Sequence, residues 1–324
     1  MEKLPRRTFL SMCLGVICSS NVAMAEQVYP SRPVRVVVGF PAGGGQDIVA
    51  RITAQWLSDH SGQPFIVDNR SGGGGNVGAE FVVRAPADGY TLLLVGPPNA
   101  INATLYDRLN FDFIQDVAAV AGIYTVPLVL VVNPSVPIKS VAELIAYAKA
   151  NPGKLNMASA GIGSPQHAGG ELFKMMTGID MVHVPYRGTG PALTDMLAGQ
   201  VQVWFADMAS SLQYIKTNQL RALAITSSKP SPALPNLPTV SDTVPGYEAS
   251  SWFGLGAPKL TPPEVIEPLN TWVNAALVDP EMTARIADFG GTPLVGSPAD
   301  FGNFMQRETE KWGNVVKFAK MKPE

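Results

Sequence analysis

Cysteine is almost missing from this 324-residue chain, and both copies, Cys13 and Cys18, fall within its first 25 residues. Everything after them has no route to a disulfide or to thiolate chemistry. Histidine is nearly as scarce: His60, His167 and His183 are the whole set. None stands at ligand spacing from another histidine or a cysteine, which argues against a transition-metal site. No excess of charge marks a polyanionic partner. The formal charge is -2, and no basic run gives an electrostatic footprint for nucleic acid or for a membrane surface. Beyond the N-terminus, no stretch approaches the roughly 20 apolar residues that a spanning helix needs.

What is present begins with an export signal. Arg6-Arg7-Thr8-Phe9-Leu10 precedes a short apolar stretch through Ile17, and Ala23-Met24-Ala25 puts small residues where a signal peptidase acts. Cleavage is expected after Ala25, leaving a soluble, periplasmic product. The arginine pair followed by Phe-Leu is similar to a twin-arginine signal, with Sec export the alternative. Loss of residues 1–25 removes Lys3, Arg6, Arg7 and Glu2, so the remaining chain has a formal charge of about -4 by the same count.

The rest is organised around Val36-Val37-Val38-Gly39-Phe40-Pro41-Ala42-Gly43-Gly44-Gly45-Gln46-Asp47. A β-branched run ends in a glycine loop, and an amphipathic segment (Ile48, Ile52, Trp56, Leu57) follows at helical spacing. Strand, glycine loop, helix is the layout that turns the free N–H groups of a helix start toward an anion. The layout continues with a strand at Phe65–Asp68, a second glycine loop to Asn76, a helix over Val77–Arg84 and a strand over Tyr90–Val95. It then recurs. Lys154–Ala158 is expected as a strand and Ser159–Pro165 as a glycine loop. A helix over Gln166–Thr177, a strand at Met181–Val184, a loop at Pro185–Gly190, a helix from Pro191 to Leu197 and a strand over Val201–Phe205 follow. Gly43 to Arg70 is 27 positions and Gly161 to Arg187 is 26, which suggests two similar units.

Alternation of strand and helix predicts an α/β class with two doubly wound domains, each on a parallel sheet. The apolar run Val126–Val132 is expected to cross from one lobe to the other, and Ser251–Gly256 to return. The expected division is 26–127 plus 250–324 for a discontinuous first lobe and 128–249 for the second, around a central cleft. Such a pair can hinge.

Enzyme chemistry finds little support. Gly73-Gly74-Gly75-Asn76-Val77-Gly78 fits G-x-G-x-x-G, but no acid ends a next strand about 20 residues on, where a ribose would need it. Ser164 lacks the G-x-S-x-G elbow; His167 lies three positions away with no third partner. Asp207 follows a strand, where open α/β sheets bind ligands, and its alternative role is capping Met208–Ile215. Tyr186 and Arg187 occupy the same kind of position. His183, in an apolar strand, reads as a satisfied core residue, and Asp47 as helix N-terminal electrostatics.

At this point several stretches resemble the receptors of the tripartite tricarboxylate transporters, also called Bug proteins. They are Phe40–Arg51, Asp88–Leu93, Ser159-Ala160-Gly161 with Gly163-Ser164 and His167, Val184–Gly188, Pro191–Asp195, Leu237–Val240 and Ser251–Gly254. The resemblance implies a two-lobed periplasmic binding protein, type II-like, joined by two crossing strands. It implies capture of a small organic carboxylate and delivery to a two-component membrane permease, with no cofactor, no metal, no nucleic acid and a monomeric state. By the same resemblance, with Asp207 added from its place after a strand, the ligand site comprises Phe40, Ala42, Gly43, Gly44, Ser159, Gly161, Gly163, Ser164, His167, Tyr186 and Asp207. The chain departs from the family pattern at Ala42, at Gly45-Gln46 and at Arg187, where the family more often has Pro, a small hydroxyl pair and Lys. The alternatives are an exported enzyme using Ser164 and His167, or a carboxylate sensor without a dedicated permease.

Overall fold

The structure is a computed structural model that describes residues 29–288 and 290–323. The expected export signal, its cleavage point and both cysteines lie outside the described residues.

Three strands and two helices open the fold: β1 (Val34–Val38), α1 (Gly45–Ser61), β2 (Phe65–Asn69), α2 (Asn76–Val83) and β3 (Thr91–Val95). Next come α3 (Pro97–Leu105), α4 (Phe113–Asp116), the long β4 (Val117–Val132) and α5 (Val141–Ala150). A second unit follows with β5 (Asn156–Ser159), α6 (Pro165–Thr177), β6 (Val182–Pro185), α7 (Thr189–Leu197), β7 (Val203–Asp207), α8 (Met208–Lys216) and β8 (Arg221–Ile225). The chain closes with β9 (Ser250–Pro258), α9 (Pro263–Val278), α10 (Pro280–Asp288), β10 (Thr292–Pro293) and α11 (Pro298–Ala319).

The matching spacings correspond to matching topology. β1 pairs in parallel with β2 and β3, giving the order β2-β1-β3; β5 pairs in parallel with β6 and β7, giving β6-β5-β7. In each unit the first strand sits centrally, so its glycine loop opens at the middle of the sheet. The expectation of purely parallel sheets needs correcting. β9 runs antiparallel to β3, and β4 runs antiparallel to β9, β7, β8 and β10. βα crossovers produce parallel pairs, whereas β4 and β9 enter from the other sheet and meet their neighbours in the opposite sense.

β4 belongs to both sheets. Val117–Pro127 pairs with β9 in the first, and Leu128–Val132 pairs with β7 and β8 in the second. Thr226 ties this crossing to the returning one. Its hydroxyl accepts the Leu128 N–H at 2.7 Å and lies 2.6 Å from the Ala249 carbonyl oxygen, to which it can donate. The strands read as near-continuous apolar runs because helices cover both faces: Val36, Val37, Val38, Leu93, Leu130 and Val131 are all buried.

One close approach explains the second glycine loop. A Cβ on Gly39 would stand 2.8 Å from the Gly75 backbone, and Gly75 itself has φ +97°. The run of glycines lets the end of β1 touch the turn before α2. That is a packing use of the G-x-G-x-x-G pattern.

Candidate functional site

A cavity of about 510 Å³ lies between the two sheets, where several helices begin. Phe40, Ala42 and Gly44 line it from the loop before α1, and Gly161, Gly163 and Ser164 from the loop before α6. Gly188 and Thr189 add the start of α7, Pro97 and Pro98 the start of α3, and Asp207 the residue preceding α8. Ser251 and Phe253 come from β9; between them Trp252 points to the opposite face, where its indole donates to buried Glu308. That is the two-residue alternation of a strand.

These helix starts differ in what they offer. Gly44 and Gly188 give α1 and α7 no side-chain cap, so their first-turn N–H groups have no partner within the helix and carry the positive end of the dipole. At α6 the Ser164 hydroxyl accepts the His167 N–H, which takes up one such donor. α3 opens on two prolines and loses two donors outright.

The α1 loop is held in shape by Asp47. Its carboxylate accepts the Gly43 N–H at 2.8 Å, Arg51 Nε at 2.9 Å and Asn69 Nδ2 at 3.0 Å. Asn69 Nδ2 also donates to the Phe40 carbonyl at 2.9 Å. The Arg51 guanidinium holds the Asp47 carboxyl down at about 2, with the Gly43 and Asn69 hydrogen bonds helping. Gly43 thus serves the loop and is not among the lining residues.

The α6 loop rests on a stacked histidine pair. The His167 and His183 rings lie 3.6 Å apart at 6°. Gly163 N–H donates to His167 Nδ1 at 3.3 Å, and His183 Nε2 meets the Ser159 hydroxyl at 2.7 Å. Burial pushes His167 down to about 3 and His183 to about 4, and Lys174 adds to both shifts, so both rings are neutral. Ser159 and His167 are therefore supports behind the loop. Tyr186 is spent as well: its hydroxyl donates to Asp195 at 2.7 Å.

Asp207 lies on the cavity wall. It stands at the start of α8 but makes no cap bond with its side chain. Instead its Oδ2 accepts Gln166 Nε2 at 2.7 Å and Thr189 Oγ1 at 3.1 Å on the cavity wall. Gln166 and Thr189 were not singled out from the sequence. The signal for both was their place in the first turn after a glycine loop, where a polar side chain faces whatever the loop faces.

The Ser164–His167 pair does not form a nucleophile and its base. Ser164 Oγ donates to the Gly161 carbonyl at 2.7 Å, His167 Nδ1 accepts the Gly163 N–H, and His167 Nε2 lies 3.9 Å from Glu171. Among the described residues, no group of three or more His, Cys, Asp or Glu could hold a metal ion. A larger cavity of about 820 Å³ lies at the amino ends of β1 and β3, lined by Arg32, Arg35, Arg70 and Arg84. Asp88, Asp68 and Glu80 pair with those arginines. Open α/β sheets bind ligands at the carboxyl ends of their strands, which favours the inter-sheet cavity.

Two α/β sheets sharing a crossing strand, with a cavity at the helix starts between them, define a two-lobed solute-binding protein of the periplasmic type. Residues 49–321 match the tripartite tricarboxylate transporter family receptor, and the chain belongs to that family. Protein BugT of Bordetella pertussis is 38% identical over 316 residues, covering 96% of this chain and 97% of its own length. The solved structure of R. palustris Rpa4515 with adipate is 40% identical with TM-score 0.80, covering 91% of this chain and all of that one. MatC (Rpa3494) from Rhodopseudomonas palustris, with bound malate, is 31% identical with TM-score 0.76, covering 89% of this chain and 100% of that one. Among the described residues no helix is long and apolar enough to cross a membrane.

Proposed function

We propose that the protein captures a small organic carboxylate in the cavity between its lobes and hands it to a two-component membrane permease. The observation that carries this reading is the ring of helix starts. Uncapped α1 and α7 present N–H donors to a cavity whose lining contains no Lys, Arg or His. Amide donors at a dipole end hold a carboxylate without an ion pair, each charge-assisted bond contributing about 1.5–3 kcal/mol net. The relatives solved with adipate and malate support the ligand class. We place the working site at Phe40, Ala42, Gly44, Gly161, Gly163, Ser164 and Asp207, with Gly43, Ser159 and His167 supporting the loops and Tyr186 behind them. The lobe limits we propose are 26–127 with 250–324, and 128–249; residues Pro127 and Ser250 pair across the two crossings. The mature protein acts as a periplasmic monomer after cleavage at Ala25, and it binds its solute without turning it over.

A thermal-shift screen tests the reading. Protein unfolded and refolded to strip any ligand is exposed to mono-, di- and tricarboxylates. A true ligand at 100 times its dissociation constant stabilises by about 2.7 kcal/mol. A flat response across the panel sinks the proposal, and recovery of a chemically altered acid sinks the non-enzymatic part of it.

A further inference from the structure

The cavity is polarised, and its two ends ask for different chemistry. The α1 start, on the first sheet's side, offers N–H donors, which suits a carboxylate. The wall where β7 meets α6 and α7 offers acceptors. Both hydrogen bonds to the Asp207 carboxyl fall on Oδ2, and Oδ1 accepts none among the described residues. Gln166 is 4% exposed, and its Oε1 is buried with no hydrogen-bond partner. A buried acceptor left unpaired costs about 1–3 kcal/mol, so a ligand that brings donors there recovers a real loss. Between the ends the lining is apolar, with Phe40, Ala42, Pro97, Ile162 and Phe253.

From this arrangement we infer that the preferred solute is an organic acid with one carboxylate at the α1 start and a hydrogen-bond donor group, such as ammonium, amide or hydroxyl, at Asp207 and Gln166. The inference rests on the carboxylate-receptor reading above and narrows it. A plain dicarboxylate would set its second carboxylate against Asp207 with no cation in the lining to offset the repulsion. It can enter only with one proton shared between the two carboxyl groups. Burial pushes the Asp207 carboxyl up, and the Thr189 and Gln166 hydrogen bonds offset part of that. The other titratable groups on the surrounding elements are committed elsewhere. On α6, His167 takes the Gly163 N–H, and Glu171 pairs with Lys174. On β6 and α7, His183 meets Ser159, and Tyr186 donates to Asp195. Arg187 is exposed, and Tyr106 is the remaining titratable side chain in the lining.

The experiment is calorimetric titration of the refolded mature protein with matched four-, five- and six-carbon acids. At each length the far end is a carboxylate, a primary amide, an ammonium or a methyl group; at six carbons these are adipate, adipamate, 6-aminohexanoate and hexanoate. At pH 7.5 the amide or ammonium probe of the best length should bind about 10- to 100-fold tighter than its dicarboxylate. Dicarboxylate affinity should rise as pH is lowered, by at most about tenfold per pH unit, because binding takes up a proton. Asp207→Asn should erase both the ranking and the pH dependence. A dicarboxylate that binds as tightly as the amide at pH 7.5, without pH dependence, overturns the inference and leaves the receptor reading standing. Survival of the ranking in Asp207→Asn overturns it in the same way. No binding by any probe of any length overturns both.

Discussion

Glu308 accepts hydrogen bonds from two tryptophans, Trp252 Nε1 at 3.1 Å and Trp312 Nε1 at 2.8 Å, and it also pairs with Lys311. Glu308 and both indoles are buried, so Glu308→Ala leaves two indole N–H groups without acceptors. The expected loss is about 2–6 kcal/mol in urea unfolding, since each orphaned donor costs about 1–3 kcal/mol. An unchanged midpoint would show that water reaches both indoles. The stacked histidines give a pH signature. Their native pKa values lie below the ordinary 6.5, so the unfolded chain binds protons first as pH falls. Stability is complete above 6.5 and is lost on the way down toward 4 and then 3. Treated as one coupled pair, they should cost about 2–4 kcal/mol between pH 7 and pH 5. Urea midpoints across that range check it, and His183→Asn should flatten the slope. At this scale the sequence exposed only part of the site. Glycine loops announced themselves at Phe40–Gly44 and Ser159–Ser164, whereas the partners of Asp207 come from two separate helix starts. Nothing in linear spacing brings Gln166 and Thr189 together.

Among the elements, β4 and its partner crossing depend on one hydroxyl. Thr226→Val keeps the shape but leaves the Leu128 N–H without its acceptor, at the point where β4 passes between sheets. We expect a loss of about 1–3 kcal/mol. Faster amide exchange at Leu128 and Ala249 than elsewhere in β4 would locate the damage; uniform protection would mean that Thr226 does not secure the crossing. The strand–loop–helix units were legible because β-branched runs, glycine loops and amphipathic spacing repeat in the same order. The length of β4 was not. Val126–Val132 is a plain apolar run, but Val117–Thr125 includes Ala118, Ala119, Ala121 and Gly122, small residues with weak strand preference. Their reason is visible only in the fold: a Cβ on Gly122 would stand 2.7 Å from Leu294, next to β10. Strand direction was likewise out of reach, since an apolar run reads the same both ways.

For the whole molecule, the feature of most consequence is the seam where α6 meets α3 and α11 across the cavity. A Cβ on Gly163 would come within 2.9 Å of Leu105 Cδ2, and Gly163 has φ +76°. The seam shuts one side of the cavity with protein alone. We expect solute to leave mainly where this seam parts, so that the wait is set by the seam and not by how well the solute is held. Solutes of very different affinity should then share nearly one dissociation rate in stopped-flow experiments and differ in how often they are captured. Gly163→Ala, which wedges the seam and strains its backbone, should speed dissociation of every solute by about 5- to 150-fold, given a perturbation of about 1–3 kcal/mol. Dissociation rates that track affinity from one solute to the next would sink this account. If they do not, residence time belongs to the carrier and not to its cargo.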